Sequence, residues 1–441
     1  MPKGAEPPAF GIHYFRGRFY EWAGPQFREI SPEAVRSEVY KYSAEAWTLS
    51  PKTGYGPFNP NAGKVNAIID ALKAGVLLPE DANPPFWISK KPVHEDKLVA
   101  CQNGLVEIET GALRDHDPLY FNTSALPFDF DPEARDPERW LAFQHELWPD
   151  DEEARNTLQE ILGLLLTADT SFQKIFMFVG PKRSGKGTIA RIFTALLGRD
   201  NVAYPNLASL GTNFGMSPLI DKRVAIISDA RASKDASAVA ERLLAISGED
   251  GQQIDVKYKP HWHGRLSVRF LLMTNELPRI PDASGALASR FVLLVLKKSF
   301  YESEDLGLTE KLLKELPGIF NWGLRGLARL RERGHFEQPL SSTEAIRTLE
   351  DLTSPVSAFL RDWCVLGPTE RIPVKRFFDA WSKWCGEHGH KAGSAALFGS
   401  HLAAAEASIS PRGRGSDRFY QGVALSEHGE DQYKAAMYDT R

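Results

Sequence analysis

The stretch Ile175-Phe-Met-Phe-Val-Gly180-Pro181-Lys182-Arg183-Ser184-Gly185-Lys186-Gly187-Thr188 decides the fold. Five consecutive apolar residues have the length and texture of a strand buried on both faces. After Thr188, residues Ile189, Ile192, Phe193, Leu196 and Leu197 recur at helical spacing, one apolar face of a helix that Gly198 closes. A glycine-rich turn from a buried strand into a helix cradles phosphate, because its backbone N–H groups and the helix dipole converge on one point. Gly180 to Thr188 are therefore the candidate ATP-binding residues, with Lys186 reaching the β- and γ-phosphates. Gly187 stands where Ser or Thr commonly follows the lysine, so the hydroxyl for Mg²⁺ is assigned to Thr188.

Working outward, further apolar runs at 224–227, 270–273 and 291–296 alternate with amphipathic helical patterns, which predicts an α/β architecture over residues 154–340. The run at 224–227 leads through Ser228 to Asp229, 43 residues after Lys186, and an acidic residue closing a neighbouring strand is the candidate metal-side carboxylate. Ala230 follows, where a water-activating glutamate would stand; Asp229 itself, Glu241 or Asp250 then has to act as the base. The run at 270–273 ends in Thr274-Asn275, placing Asn275 to hold the attacking water or the γ-phosphate. Arg290 precedes the last run and suits a finger that neutralises the γ-phosphate of a neighbouring subunit.

At 441 residues the chain has room for about three domains. Its 53 basic and 57 acidic residues leave a net charge of −4, too balanced for a surface coated in nucleic acid, so any DNA site is local. Three scattered cysteines exclude a zinc ribbon or disulfide framework and fit a reducing compartment, with the cytoplasm as the default. No signal peptide and no apolar run approaching ~18 residues is found, which predicts a chain neither exported nor membrane-spanning.

Residues 1–125 mix strand-like runs around glycine turns with helical spacing, an α+β N-terminal domain. Residues 126–153 read as an acidic linker: between Pro127 and Glu153 ten acidic residues face two basic ones, with prolines interrupting. Asp129-Phe-Asp131 resembles a metal-binding pair but falls in this linker, so no primase chemistry is assigned. The aromatic and basic run from Tyr14 to Trp22 reads as a hairpin burying its rings in the N-terminal core. Residues 341–441 supply three helices and a basic hairpin, a C-terminal winged-helix domain. Residues 371–421 carry eight basic and four acidic residues, and Arg412 and Arg414 are candidate DNA contacts.

The motifs Gly-Pro-Lys-Arg-Ser-Gly-Lys-Gly-Thr, Ile-Ile-Ser-Asp-Ala-Arg, Ser-Gly-Glu-Asp-Gly-Gln-Gln-Ile-Asp-Val-Lys-Tyr-Lys, Met-Thr-Asn-Glu-Leu-Pro and Leu-Ala-Ser-Arg-Phe together resemble the superfamily 3 helicases of the phage and plasmid primase-helicase family, related to the poxvirus primase-helicase. The resemblance implies an AAA+-like ATPase forming a hexameric ring, a homo-oligomer that uses ATP and Mg²⁺ to move along single-stranded DNA and open forks. It also implies a pore hairpin between the second and third motifs, here carrying Lys257, Tyr258, Lys259 and His261 as DNA contacts. A separate primase would supply primers. Two other functions are compatible with the residues: an ATP-switched DNA-binding initiator or loader, favoured by Ala230 after Asp229, and a nucleotide kinase, favoured by Gly-Lys-Gly-Thr.

Overall fold

The computed structural model describes residues 11–50, 54–89, 97–228, 236–257, 261–282 and 285–438. Its centre is a parallel five-stranded sheet in the order Val202–Ala203, Val224–Ser228, Arg269–Thr274, Ile175–Val179, Phe291–Val295. Strand alternation divides the apolar residues between two cores. Phe176, Phe178, Val224, Ile226, Leu271, Met273, Val292 and Leu294 face one core, while Ile175, Met177, Ala225, Ile227, Phe270, Leu272, Phe291 and Leu293 face the other. Both faces are covered, which is why these strands are unbroken apolar runs in the sequence. The strand leading to Asp229 is next but one to the phosphate-loop strand, not beside it as expected, because the strand that ends at Thr274 intervenes.

Helices Lys186–Leu197, Glu152–Leu165 and Leu316–Arg333 cover the first face. The last two approach so closely that a Cβ on Gly163 would lie 2.3 Å from the Gly323 carbonyl oxygen. At their far end the buried Glu160 accepts from Arg329 Nε at 2.7 Å and Arg333 Nη2 at 2.5 Å.

Two expected boundaries are corrected. Residues 126–153 are no linker: helix Glu138–Leu147 runs through them, and Leu126, Phe130, Trp140, Phe143, Leu147 and Trp148 are buried in the first core. Helix Thr343–Thr353, expected in the C-terminal domain, packs Leu349 into the second core, and the next core begins at Val356.

The N-terminal part carries an antiparallel sheet, Ile12–Phe15, Arg18–Trp22 and Phe27–Ile30, whose Phe15, Tyr20 and Phe27 join Phe86 and Phe121 in an aromatic cluster. The C-terminal part runs helix Pro355–Trp363, strand Cys364–Pro373, helices Val374–Glu387 and Ala395–Ala405, strands Ser410–Arg412 and Phe419–Leu425, then helix Glu427–Tyr438. Its three strands pair antiparallel with Phe419–Leu425 in the middle, over a core of Phe359, Phe377, Trp381, Trp384 and Phe398. Among the described residues no helix is long and apolar enough to cross a membrane.

Candidate nucleotide site and nucleic-acid surfaces

The phosphate loop leaves the sheet at its carboxyl edge, where Gly180 N–H donates to the Thr274 carbonyl at 3.2 Å. Only glycine fits here, since a Cβ on Gly180 would meet the Leu296 carbonyl oxygen at 2.3 Å. The loop turns through Arg183 and Gly185, with φ of +59° and +94°, into the helix that begins at Lys186.

Lys186 lies inside the loop. Its Nζ donates to the Gly180 carbonyl (2.6 Å), the Pro181 carbonyl (2.8 Å), Ser184 Oγ (3.1 Å) and Asn275 Oδ1 (3.2 Å). Partial burial moves its pKa below the ordinary lysine range. Two candidates 89 residues apart thus meet at one atom pair, Lys186 and Asn275. Thr188 Oγ1 accepts from Arg191 Nη2 at 3.1 Å, on the first turn of the same helix.

A cavity of about 530 Å³ opens in front of the loop, a size that holds a small organic ligand. Lys182 to Thr188 and Asn275 form its polar wall, and Phe143, Phe300, Leu306 and Leu308 supply apolar surface. The segment after the last strand is strapped to the loop: Ser299 Oγ donates to the Lys182 carbonyl (2.9 Å), Phe300 N–H to the Arg183 carbonyl (2.9 Å), and Arg183 pairs with Glu304 at 3.3 Å. Asp305 is held by Lys311 at 2.7 Å, which keeps its carboxyl below the usual carboxylate range. An apolar patch facing a cationic, N–H-rich turn fits a nucleoside phosphate, base on one side and phosphates on the other.

Thr188, the residue assigned to Mg²⁺ from the sequence, lines the cavity two positions after Lys186. Asp229 lies outside the described residues; Ser228, the last described residue before it, is paired in register with Met273 at the same sheet edge. Among the described residues no cluster of three or more His, Cys, Asp or Glu is arranged to hold a metal. Glu241 and Asp250 do not line the cavity, so neither is placed as the base there. The carboxylates that do line it, Glu146, Glu304 and Asp305, were not singled out from the sequence, because no motif links them and only the tertiary fold brings them in.

Arg290 sits at the opposite edge of the sheet. It precedes Phe291, which is in register with Ile175 at the start of the phosphate-loop strand, and its Nη1 donates to Gln173 Oε1 (2.9 Å) and the Ser247 carbonyl (3.0 Å). It does not line the cavity of its own chain.

The hairpin expected between the second and third motifs is present as strands Gln252–Ile254 and Trp262–Gly264. Lys257 places its ammonium 5.6 Å from the Phe214 ring centroid, and exposed His261 lies with Nδ1 2.8 Å from Asp255 Oδ1. Tyr258 and Lys259 fall outside the described residues. Arg412 and Arg414 are exposed where strand Ser410–Arg412 gives way to the loop before Phe419, with Gly413 at φ +78° turning the chain between them.

The family "D5 N terminal like" matches residues 13–149, the "Family of unknown function (DUF5906)" matches 178–290, and "Poxvirus D5 protein-like" matches 354–407. Two of these three matches, at either end of the chain, are to models named for the poxvirus D5 protein, and they support a likeness to the phage and viral primase-helicase family. Among solved structures, the apo NrS-1 C-terminal region (residues 305–718) is similar over 91% of this chain and 84% of that one, with a TM-score of 0.51 and 13% identity. A second apo structure of that region gives a TM-score of 0.50 at 13% identity, over 91% of this chain and 85% of the other. This likeness extends to the fold.

Proposed function

We propose that this chain is the ATP-driven replicative DNA helicase of a phage or plasmid-like element, a ring of superfamily 3, AAA+-like domains that moves along single-stranded DNA. The observation that carries the reading is the junction of Lys186 with Asn275 at the mouth of a nucleotide-sized cavity. The ammonium is held by acceptors of the loop itself and by Asn275, and a γ-phosphate would draw it off them. Asn275 orients the attacking water or a γ-phosphate oxygen, and Thr188 with Asp229 would hold Mg²⁺, whose charge would offset that of the phosphates. Arg290, at the far edge of the sheet, completes the site of an adjacent subunit. The hairpin residues Lys257, Tyr258, Lys259 and His261 grip the strand, while the C-terminal part acts as a winged helix whose Arg412 and Arg414 contact forked DNA; a separate primase supplies primers.

Steady-state ATP hydrolysis with and without single-stranded DNA, for wild type and Lys186→Ala, tests the reading. Hydrolysis that requires Lys186 and rises with DNA is expected. A second reading, an ATP-switched initiator that binds DNA without processive unwinding, is favoured by Ala230 after Asp229 and by the absence of Glu241 and Asp250 from the cavity wall. Hydrolysis that needs Lys186 but ignores DNA, with no opening of a forked duplex, would favour that reading over the motor.

A further inference from the structure

Among the described residues the hairpin Gln252–Ile254/Trp262–Gly264 is a sheet of two three-residue strands with no third strand. So short a hairpin does not hold its orientation alone, and what packs on its base sets how it stands. The N-terminal sheet reaches that base. Arg16 and Gly17, with φ of +46° and +77°, make the two-residue turn between Ile12–Phe15 and Arg18–Trp22. Arg16 donates from Nε to the Glu80 carbonyl (3.0 Å) and from Nη2 to the Ala82 carbonyl (2.9 Å) and Asn83 Oδ1 (2.8 Å).

Those bonds fix the guanidinium plane, whose carbon lies 5.4 Å from the ring centroid of Trp262, the first residue of the hairpin's returning strand. Contact is tightest at Gly264, where a Cβ would lie 2.7 Å from Arg16 Nη1 and 2.9 Å from the Trp262 ring. The same sheet is tied to the α/β part a second time, Tyr20 Oη donating to Asp221 Oδ2 at 3.3 Å. Beside the contact a cavity of about 650 Å³, lined in part by Tyr14, Lys73 and His261, leaves the hairpin room to shift if the guanidinium releases it.

We propose that Arg16 is a positioning residue for DNA engagement: its guanidinium, bonded to Glu80, Ala82 and Asn83 and lying over the Trp262 ring, sets the stance from which Lys257 and His261 meet the strand. The inference rests on the reading of the hairpin as a DNA contact. Lysine cannot replace Arg16, because an ammonium has no plane to stack and no fork to span the acceptors.

The test uses the full chain with Arg16→Ala, Arg16→Lys and Gly264→Ala. Each variant is expected to raise the single-stranded DNA concentration that half-stimulates ATP hydrolysis about tenfold. DNA-free hydrolysis and its KM for ATP should stay at the wild-type level. Without DNA, amide hydrogen exchange should quicken at 252–257 and 261–264 and be unchanged in the five-stranded sheet. Wild-type behaviour of Arg16→Lys, or parallel loss of DNA-free and DNA-stimulated hydrolysis, overturns the proposal. Wild-type hydrolysis that ignores DNA defeats the motor reading instead. In that case exchange alone decides the clamp, and an unaltered hairpin in Arg16→Ala overturns it.

Discussion

Replacing Asn275 by alanine separates a catalytic contact from a merely structural one. The Asn275 oxygen accepts from Lys186 Nζ at 3.2 Å, the longest of four such bonds, the others being 2.6, 2.8 and 3.1 Å. A lysine ammonium only donates, so the amide must turn its oxygen toward it, leaving the NH₂ group to meet a phosphate oxygen or the attacking water. Loss of the exposed bond to Lys186 is worth about 1 kcal/mol, and three acceptors remain, so the fold and ATP affinity should barely change. Loss of a donor aimed at charge that develops in the transition state costs about 2.7–4 kcal/mol, or about 10²- to 10³-fold in kcat. Steady-state hydrolysis together with equilibrium nucleotide binding should show that split. Asn275→Asp keeps the shape but pairs with Lys186 and repels the γ-phosphate, so it should weaken ATP binding as well. A kcat for Asn275→Ala within about threefold of wild type, against the about 10²-fold expected, refutes the reasoning.

Two further outcomes are expected. Mixing Arg290→Ala chains into wild type should depress hydrolysis more than in proportion to their fraction, because Arg290 cannot reach the cavity of its own chain; a strictly proportional loss counts against a shared site. Burial beside Phe27 and Phe121 moves the His13 imidazole below its ordinary pKa. The unfolded chain therefore takes up a proton near pH 6.5 that the folded chain refuses, and stability falls as pH drops below about that value toward the lowered folded-state pKa. Urea unfolding of wild type and His13→Phe at pH 7 and pH 5 should show the wild type losing ground at pH 5, and a constant difference would exclude this.

Four strands of the sheet were legible because each, buried on both faces, is an apolar run, whereas Val202–Ala203 is too short to give one; the phosphate loop was legible because its glycines answer a steric need. Helix Glu138–Leu147 was misread although Trp140, Phe143, Gln144, Leu147 and Trp148 follow helical spacing and are all buried. Ten acidic residues and four prolines in that stretch drew attention to charge, which sits on the outer face, and away from periodicity. The cavity carboxylates Glu146, Glu304 and Asp305 come from segments that only the tertiary fold unites. The far-edge position of Arg290 follows from the parallel register of Phe291 with Ile175, which no local pattern encodes.

The first core includes Val99, Cys101, Val106 and Ile108 from the N-terminal strands alongside Phe176, Phe178, Ile189 and Phe193 beneath the phosphate loop. Phe143 and Leu147 of the misread helix also press on Gly185. Mechanically, then, there is no joint between the part that would burn nucleotide and the strands preceding it. A truncation starting at 154 would therefore strip Val99, Cys101, Val106, Ile108, Phe143 and Leu147 from the core that supports the phosphate loop rather than free a self-contained unit.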